Sequence, residues 1–494
     1  MSDIVIGQGA DGPVNLRLDR ANRHGLIAGA TGTGKTITLQ ILAEGFSAAG
    51  VPVFAADVKG DLSGIAAAGT PSEKLVARAT GMGIALEPQA SPAILWDLLG
   101  QAGHPVRTTL SEIGPVMLSR LLELSDAQEG VLTIAFHAAD EKGLLLLDLD
   151  DLQALLADMA EKDKDYSAQY GNVTDASVGS IQRKLLTLRT QQADKFFGEP
   201  ALDLSDLMRA KGERGYVSLL DATRLIEQPR LYSTFLLWLL SELFEELPEV
   251  GDPEKPKLVF FFDEAHLLFR DAPKPLLEKI EQVVRLIRSK GVGIYFITQN
   301  PADIPDTVLA QLGNRVQHAL RAYTPAEQKG LKAAAQSFRP NPAFDTAEAI
   351  QGLGVGEALV SVLDEKGAPT VTQKTAVRPP NGRMGPLKPD ERAALMAQSP
   401  VAGCYDTPEN RESAYERLKG RAEAKVEAAP PVQAQPAPAP QAQPRTRAPA
   451  QRQTAAEAVA MSVMRAAGSQ LGRQLTREIM RGILGGFAGG ARRR

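Results

Sequence analysis

The sequence predicts an α/β protein with a mostly parallel β-sheet, and three observations indicate this fold. Short apolar runs of strand length alternate with stretches of helical periodicity, a pattern typical of a parallel sheet covered by helices on both faces. Of the 494 residues, 44% are hydrophobic and 23% are charged, so the chain can bury a sizeable core. A glycine-rich turn at Gly29–Thr36 lies between one of the apolar runs and a helical stretch.

The first part of the expected core begins with a short hairpin. Residues Asp3–Ile6 and Val14–Leu18 alternate between apolar and polar side chains, which predicts two paired strands. Residues Gly25–Ala28 predict the strand that enters the glycine-rich turn, Thr36–Ala49 the helix that leaves it, and Val51–Ala56 the next strand.

Three later apolar runs complete the expected sheet. Residues Val217–Leu220, Lys257–Asp263 and Gly293–Thr298 have the length of buried strands, and each run ends in polar residues. We expect these three runs and the two earlier core strands to form one sheet. Between about Gln101 and Ala201 the apolar spacing is helical and the loops are acidic, which predicts a helical insertion.

Changes in composition divide the chain into six segments. One of them is rich in Pro, Ala and Gln with almost no large apolar groups, so burial cannot offset the entropy cost of ordering it. The expected segments are a first core part with the glycine-rich turn (1–100), a helical insertion (101–201), a second core part (202–400), a helical extension (401–427), a disordered linker (428–453) and an amphipathic C-terminal helix (454–494).

The C-terminal helix carries a charge opposite to that of the rest of the chain. Residues 454–494 contain seven Arg and two Glu, a balance of +5, so a net charge of −4 leaves −9 for the preceding residues. This excludes nucleic-acid binding by a general positive surface, and any such contact is expected to be local. The spacings Gly468/Gly472 and Gly482/Gly486 favour self-association or partner docking. Binding to phosphate backbones or anionic lipid, and folding back onto the body, are the alternatives.

Other classes of protein are excluded by simple patterns. No run approaches the roughly 18 apolar residues of a membrane-spanning helix, so no integral membrane span is expected. The N-terminal residues lack a basic segment followed by an apolar one, so no secretory signal is expected. The single Cys404 cannot form an internal disulfide, and the five His have no ligand spacing. The cytoplasm is therefore the expected compartment.

The glycine-rich turn matches the phosphate-binding pattern G-x-x-x-x-G-K-[ST], with a strand before it and a helix after it. Its glycines allow backbone conformations that turn N–H groups toward phosphates at a helix N-terminus. Lys35 is expected to reach the β and γ phosphates of ATP, and the Thr36 hydroxyl to bind Mg²⁺. The expected nucleotide-binding residues are Gly29, Ala30, Thr31, Gly32, Thr33, Gly34, Lys35 and Thr36.

An acidic pair at the end of a buried strand is the expected hydrolytic site. We expect Asp263 to hold Mg²⁺ and Glu264 to polarise the attacking water, from the strand that adjoins the strand of the phosphate loop. The alternative is that both acids only begin the next helix, where negative charge is favourable. His266 completes a DEAH sequence, but nothing else matches the helicases named for it, so we assign His266 a structural role.

Polar residues at neighbouring strand ends extend this site. Gln299 follows the next strand along the chain and is a candidate sensor of the γ phosphate, with an ordinary strand-end position as the alternative. Asp57 and Lys59 follow the second core strand, at the sheet edge where ligands gather, but the sequence assigns them no definite role.

One arginine is a candidate for action on a neighbouring subunit. Arg288 lies on the helix between the last two core strands, and its charge would neutralise a transferring phosphoryl group if another subunit presented it. Arg285, Arg315 and Arg321 compete for this role. For each of these arginines, a solvated or ion-paired position is an equal alternative.

Four stretches of the chain carry a family resemblance. They are GATGTGKT, AADVKGDLSG, FFFDEAHLLF and ITQNPADIPDTVLAQLGNRVQHALRAYTP. They resemble the HerA and FtsK class of hexameric translocating ATPases, most closely the bacterial HerA-like YjgR group, over most of residues 1–400. The sequence contains no convincing HerA-type N-terminal barrel and no FtsK-type winged helix, so coupling to DNA is the least supported part of this resemblance.

The resemblance implies a RecA-like fold, assembly into a hexameric ring, and ATP-driven movement of double-stranded DNA or of an extruded partner. It also implies a nuclease or another protein as a partner. The rival function is a nucleotide-gated interaction protein that hydrolyses ATP without moving DNA. Carried over residue by residue, the resemblance implies nucleotide ligands at Lys35 and Thr36, a hydrolytic pair at Asp263 and Glu264, a sensor at Gln299 and a trans-acting arginine at Arg288.

Overall fold

The computed structural model describes residues 3–269 and 274–427. The linker and the amphipathic helix expected for residues 428–494 lie outside the described residues, so both stay predictions. Within the described residues, the chain forms one twelve-stranded sheet, one two-stranded sheet and the helices that cover them.

The strands and helices have the following bounds. The strands are β1 (Ile4–Gly9), β2 (Gly12–Leu16), β3 (Gly25–Ala28), β4 (Val53–Asp57), β5 (Ala93–Asp97), β6 (His104–Pro105), β7 (Ala210–Lys211), β8 (Arg214–Gly215), β9 (Val217–Asp221), β10 (Leu258–Phe262), β11 (Val292–Thr298), β12 (Asn314–Gln317), β13 (Glu357–Ser361) and β14 (Gln373–Val377). The helices are α1 (Lys35–Ala48), α2 (Glu73–Gly81), α3 (Leu110–Leu121), α4 (Asp126–Lys142), α5 (Leu149–Glu161), α6 (Asp163–Tyr170), α7 (Asp175–Thr190), α8 (Pro229–Glu246), α9 (His266–Phe269), α10 (Lys274–Leu286), α11 (Asp306–Leu309), α12 (Pro325–Gln336), α13 (Thr346–Gln351), α14 (Pro389–Ala397) and α15 (Ala414–Glu427).

The large sheet is mostly parallel. Its strand order is β2-β1-β14-β13-β12-β3-β11-β10-β4-β9-β5-β6. All neighbours from β12 to β6 pair in parallel, whereas β2, β1, β14 and β13 form an antiparallel extension that joins the parallel block at β12. The predicted α/β fold with a mostly parallel sheet is confirmed.

The five-strand sheet expected from the sequence was too small. The five predicted strands do lie side by side, in the order β3-β11-β10-β4-β9, at the centre of the sheet. The predicted hairpin is present as the antiparallel pair β1 and β2, but it is also part of the large sheet through β14. Five strands of the large sheet were not expected from the sequence, and several of them are short or rich in polar residues: β5, β6, β12, β13 and β14.

Two buried clusters lie on opposite faces of the sheet, and β10 shows why. Leu258, Phe260 and Phe262 belong to one cluster, whereas Val259 and Phe261 belong to the other. Successive side chains of a strand point to opposite faces, so a strand buried on both sides has to be apolar throughout. Each of these side chains contributes roughly 1.5–3 kcal/mol by its burial.

Helices fill the region that the sequence assigned to an insertion. The helices α3 to α7 lie between Leu110 and Thr190. Their apolar side chains, such as Leu132 and Leu156, belong to the same buried cluster as Phe54 and Phe260 of the sheet. This helical region and the sheet therefore share one core.

Candidate functional site

The phosphate loop joins β3 to α1 at the carboxyl edge of the sheet. Gly32 and Gly34 have φ angles of 76° and 117°, a region that side-chain-bearing residues rarely adopt. Gly34 is the N-cap of α1 and has no side chain with which to cap that helix. The first N–H groups of α1 are thus available to an anionic ligand, which is the feature expected of a phosphate site.

Lys35 lies inside the loop. Its side chain is buried, and Nζ donates hydrogen bonds to the carbonyl oxygens of Gly29 and Ala30 at 2.6 and 3.1 Å. Burial, followed by the nearby ammonium of Lys59, lowers the pKa of Lys35. A buried ammonium that holds the loop's own carbonyl groups is well placed to compensate the charge of a phosphate.

A histidine supports the loop from the neighbouring strand. His318 follows β12, and its backbone N–H donates to Ala28 O at 2.7 Å. Its Nδ1 lies 3.0 Å from Glu357 O and its Nε2 lies 2.8 Å from Thr38 Oγ1. A Cβ atom added to Gly29 would lie only 2.5 Å from His318 Cβ, so this packing leaves room for glycine alone.

The acidic pair lies at the carboxyl end of β10. Asp263 and Glu264 are 6% and 4% exposed, and the Glu264 N–H donates to Asp263 Oδ1 at 3.0 Å. Glu264 has a φ angle of 49°, a strained conformation for a residue other than glycine. Such strain occurs often at functional sites, where the surrounding structure enforces it. The helix α9 begins only at His266, so the acids precede it and lie in the turn that ends β10.

The charges of the two acids are set by burial and by one lysine. Lys59 Nζ lies 2.9 Å from Glu264 Oε1 and 3.6 Å from Asp263 Oδ2. Burial raises the pKa of Asp263. Burial also acts to raise the pKa of Glu264, but the hydrogen bond and charge of Lys59 outweigh it and lower that pKa. Lys59 had no definite role from the sequence, although its position after β4 already placed it at this end of the sheet.

The strand arrangement corrects one expectation. The acids do not lie on the strand that adjoins the strand of the phosphate loop, because β11 lies between β3 and β10. Gln299 follows β11 and joins the two halves of the site. Thr31 Oγ1 lies 3.4 Å from Gln299 Oε1, and Gln299 Nε2 donates to both carboxylate oxygens of Glu264 at 3.3 Å. Gln299 therefore lies between the loop and the acids.

Three other polar residues surround the acids. Asp57 accepts hydrogen bonds from the N–H groups of Gly60 and Leu62, and burial raises its pKa to about 6. Its carboxylate is thus used to hold the turn that carries Lys59. Tyr232 donates to the backbone oxygen of Asp263 at 3.2 Å, and His266 Nδ1 lies 3.4 Å from Glu264 Oε2.

Arg288 lies at the opposite edge of the sheet. It belongs to a 3₁₀ turn, Ile287–Lys290, that directly precedes β11, whereas Gln299 follows the same strand. With a rise of about 3.3 Å per residue, the seven residues of β11 separate the two edges by roughly 20 Å. Arg288 is half-exposed, and its Nη2 lies 3.2 Å from Asp252 Oδ1.

The competing arginines differ in their contacts. Arg285 is exposed in the last turn of α10, and Arg321 is exposed beyond the carboxyl end of β12. Arg315 is half-buried, and burial lowers its pKa. Its guanidinium donates to three backbone oxygens of the same chain, those of Leu309, Leu312 and Ser337. Arg315 is therefore committed to the fold, whereas the other three are accessible.

The donor groups of the site fit a nucleotide with Mg²⁺. The loop offers backbone N–H groups and Lys35, and the Thr36 hydroxyl and the Asp263 carboxylate are hard oxygen ligands of the kind that Mg²⁺ prefers. Across residues 3–269 and 274–427, no group of three or more His, Cys, Asp or Glu is arranged to hold a metal.

A phosphate loop on a central parallel strand, an acid pair two strands away and a glutamine between them are typical of P-loop proteins of the HerA/FtsK class. Sequence comparison agrees with this class. Residues 4–494 match the family described as helicase HerA-like, C-terminal, and the chain belongs to that family.

Curated relatives with similar sequences are archaeal. A probable helicase of Methanocaldococcus jannaschii is 30% identical over 24% of this chain and 22% of its own length. The DNA double-strand break repair helicase HerA of Saccharolobus solfataricus is 24% identical over 72% of this chain and 64% of its own length. The chain thus spans less than two thirds of the length of these relatives.

Solved structures share the fold. VirB4 of Thermoanaerobacter pseudethanolicus superimposes with a TM-score of 0.51 and 16% identity, covering 76% of this chain and 96% of that protein. The plasmid coupling protein TrwB, solved with a non-hydrolysable GTP analogue, gives a TM-score of 0.51 and 14% identity, with 76% and 90% coverage. At these identities the likeness shows the fold alone.

Two further observations concern the rest of the described chain. No helix within residues 3–269 and 274–427 is both long and apolar enough to span a membrane. A cavity of about 520 Å³ opens near Arg107, Lys195 and Tyr415, and none of the candidate site residues lines it.

Proposed function

We propose that the chain hydrolyses ATP with Mg²⁺ as one subunit of a hexameric ring and couples this reaction to movement along double-stranded DNA. The observation that carries the hydrolytic part is the continuous contact from Thr31 through Gln299 to Glu264, which links the phosphate loop to the acids. Membership of the HerA-like family supports the motor part.

In this proposal each residue of the site has one task. The loop Gly29–Thr36 binds the phosphates through backbone N–H groups, and Lys35 compensates their charge. Mg²⁺ would be held by Thr36 and Asp263, and it supplies charge neutralisation at the phosphates. Glu264 polarises the attacking water and accepts its proton, while Gln299 orients that water and senses the γ phosphate.

Arg288 is the residue that we propose to act on a neighbour. Its distance from Glu264 along β11 excludes action within its own site, and its exposure makes it accessible to another subunit. A ring interface joins two different surfaces of identical subunits. We propose that in this ring the surface with Arg288 meets the surface with the phosphate loop of the next subunit. The site would then be complete only in the assembly.

Coupling to DNA is tested by the ATPase rate of the full chain. We expect duplex DNA to raise turnover, and the stimulation to fall as salt increases, because phosphate contacts release counterions. An ATPase rate independent of DNA length and salt would contradict translocation. Native mass measurement with and without ATP tests the ring, since a stable monomer cannot share a site between neighbours.

The second candidate is a nucleotide-gated interaction protein that hydrolyses ATP without moving DNA. The charge of −9 on the residues before 454 favours it, because an acidic body repels a polyanion. In that case a nuclease or another protein, docked according to the nucleotide state, would be the partner. The exposed Cys404, the single cysteine of the chain, is in keeping with the cytoplasm as the compartment that we propose.

A further inference from the structure

Two apolar side chains beside the phosphate loop are unusually exposed. Tyr323 is 82% exposed and Val355 is 77% exposed, the two highest values among the large hydrophobic residues in the described part of the chain. Exposed apolar groups clustered next to a polar site often mark a surface that contacts a ligand.

The segment that leads to Tyr323 contacts the phosphate loop. Ala30 N–H donates to Ala319 O at 2.8 Å, and Tyr323 follows Ala319 by four residues. The Tyr323 N–H donates to Glu327 Oε2 at 2.9 Å, and Thr324 caps α12 through a capping box. The backbone of Tyr323 is thus fixed while its ring extends into solvent.

Val355 is attached to the loop even more directly. It lies between Gly354 and Gly356, and the Gly356 N–H donates to Thr33 O at 3.2 Å. Gly356 has a φ angle of 79°, and its carbonyl oxygen accepts a hydrogen bond from Arg78. A turn with these anchors holds the valine side chain in a fixed position next to the phosphate loop.

The two side chains emerge from one small apolar cluster. Ala319 and Leu320 pack with Leu353 and Leu359 in a cluster separate from the two large cores. Tyr323 lies three residues beyond Leu320, and Val355 lies two residues beyond Leu353. They therefore flank the same side of the phosphate loop.

That side is opposite to the acids. The strand β3 lies between β11 and β12, with Gln299 and Glu264 beyond the ends of β11 and β10 and Tyr323 beyond the end of β12. A triphosphate whose γ end meets Glu264 directs its nucleoside end away from β10. The nucleoside of a bound ligand therefore extends toward the β12 side, where the exposed pair lies.

We propose that Tyr323 and Val355 form the site for the base of a purine nucleoside triphosphate, with the tyrosine ring stacked on the base and the valine in contact with its edge. The inference rests on the proposed function, because it assumes that the loop binds the phosphates. Stacking on an aromatic ring accepts any base, and it is stronger for the larger purine ring system. The site therefore favours ATP and GTP over UTP and CTP.

The test compares a nucleotide with a ligand that lacks the base. Binding of a non-hydrolysable ATP analogue and of inorganic tripolyphosphate, each with Mg²⁺, is measured by calorimetry on the full chain. Tyr323→Ala is expected to weaken binding of the ATP analogue roughly 10- to 100-fold and to leave the Kd for tripolyphosphate unchanged. Tyr323→Phe, which keeps the ring, is expected to bind both ligands like the wild type, and Val355→Ser to weaken the ATP analogue alone.

The controls separate this proposal from the proposed function. Tyr415→Ala removes an exposed tyrosine of the cavity near Arg107 and Lys195, which no residue of the phosphate loop lines, and is expected to change neither Kd. Lys35→Ala is expected to weaken both ligands; a wild-type chain that binds neither would overturn the proposed function and this proposal together. If the wild type binds both ligands and Tyr323→Ala leaves the ratio of the two Kd values unchanged, the base site is wrong but the proposed function is not. Tyr323→Ala could instead change only the mass of the assembled particle or only the stimulation of turnover by DNA. Either result would assign Tyr323 to a contact with a second copy or with DNA, and it would overturn the base site.

Discussion

The carboxyl and amino ends of the central parallel strands, here called the carboxyl and amino edges, differ in how many of the candidate site residues they hold. At the carboxyl edge, Lys35, Glu264 and Gln299 lie in a network of contacts within one chain, and the acids are more than nine-tenths buried. At the amino edge, Arg288 and Asp252 form an exposed ion pair. This difference supports the proposal that one subunit builds its own phosphate and water sites, whereas its Arg288 acts on a neighbouring subunit.

The largest expected effect is that of Arg288→Ala. If the arginine acts on a neighbour, its loss is expected to reduce turnover roughly 10³-fold or more. Mixing Arg288→Ala subunits with Lys35→Ala subunits is expected to restore activity, because each Lys35→Ala subunit still presents Arg288 to an intact phosphate loop. The ATPase rate of mixtures across all ratios measures this.

Arg285→Ala is the matched control, since Arg285 is an exposed arginine on the same helix-and-turn segment. It is expected to retain wild-type activity. Mixtures that assemble but stay inactive would show that Arg288 does not act between subunits.

Glu264→Gln tests the carboxyl edge. The amide cannot accept the proton of the attacking water, so turnover is expected to fall roughly 10²- to 10⁴-fold while ATP binding is retained. Glu254→Gln, an exposed acid that precedes the same strand at the other edge, is the control and is expected to have no effect. Steady-state hydrolysis together with calorimetric binding separates the two properties, and retained hydrolysis would remove Glu264 from its role.

Lys59→Met tests whether Lys59 lowers the pKa of Glu264. Lys59 lowers the pKa of Glu264, so its removal is expected to raise that pKa, and ionised Glu264 is then lost at a higher pH as the solution is acidified. The acidic limb of the kcat/KM profile is expected to move to higher pH, with a loss of roughly 10-fold on that limb and a smaller loss near pH 8. Lys59→Arg keeps the charge and is expected to restore the profile at least in part. An unshifted limb in Lys59→Met would contradict the assignment.

The smallest expected effect concerns one buried histidine at each edge. His24 and His318 are both neutral, and burial lowers the pKa of each to about 4. His24 Nδ1 accepts a hydrogen bond from the Ile294 N–H, which a proton there would abolish. Because each folded pKa lies below the unfolded value of about 6.5, each histidine is expected to reduce stability as the pH falls from about 6.5 to 4, by at most about 3 kcal/mol.

Thermal unfolding between pH 7 and pH 5 measures this effect. His24→Asn and His318→Asn are both expected to make the midpoint less dependent on pH than in the wild type. Only His318→Asn is expected also to weaken nucleotide binding, since His318 packs against the phosphate loop. His137→Asn, on an exposed part of α4, is the control. If His24→Asn weakened nucleotide binding as much as His318→Asn, the expected difference between the amino and carboxyl edges would be wrong.

Much of the core and of the site was predictable because its signals are local. The apolar runs of β10 and β11 are easy to identify, since strands buried on both faces are apolar at most positions. The glycine and lysine spacing of the phosphate loop lies within eight residues. In contrast, β12 (NRVQ) and β14 (QKTAV) are as polar as loops, and their pairing with distant strands makes them part of the sheet.

The sequence alone determined that a phosphate loop, an acid pair and a glutamine follow strands of one parallel sheet, because short spacings and apolar runs encode each of these features independently. Only the tertiary structure decided that β11 lies between the strands of the loop and the acids, that Lys59 forms an ion pair with Glu264, and that Arg288 lies at the amino edge of the sheet. The reason is that strand order depends on long-range pairing and packing, which no local pattern of residues contains.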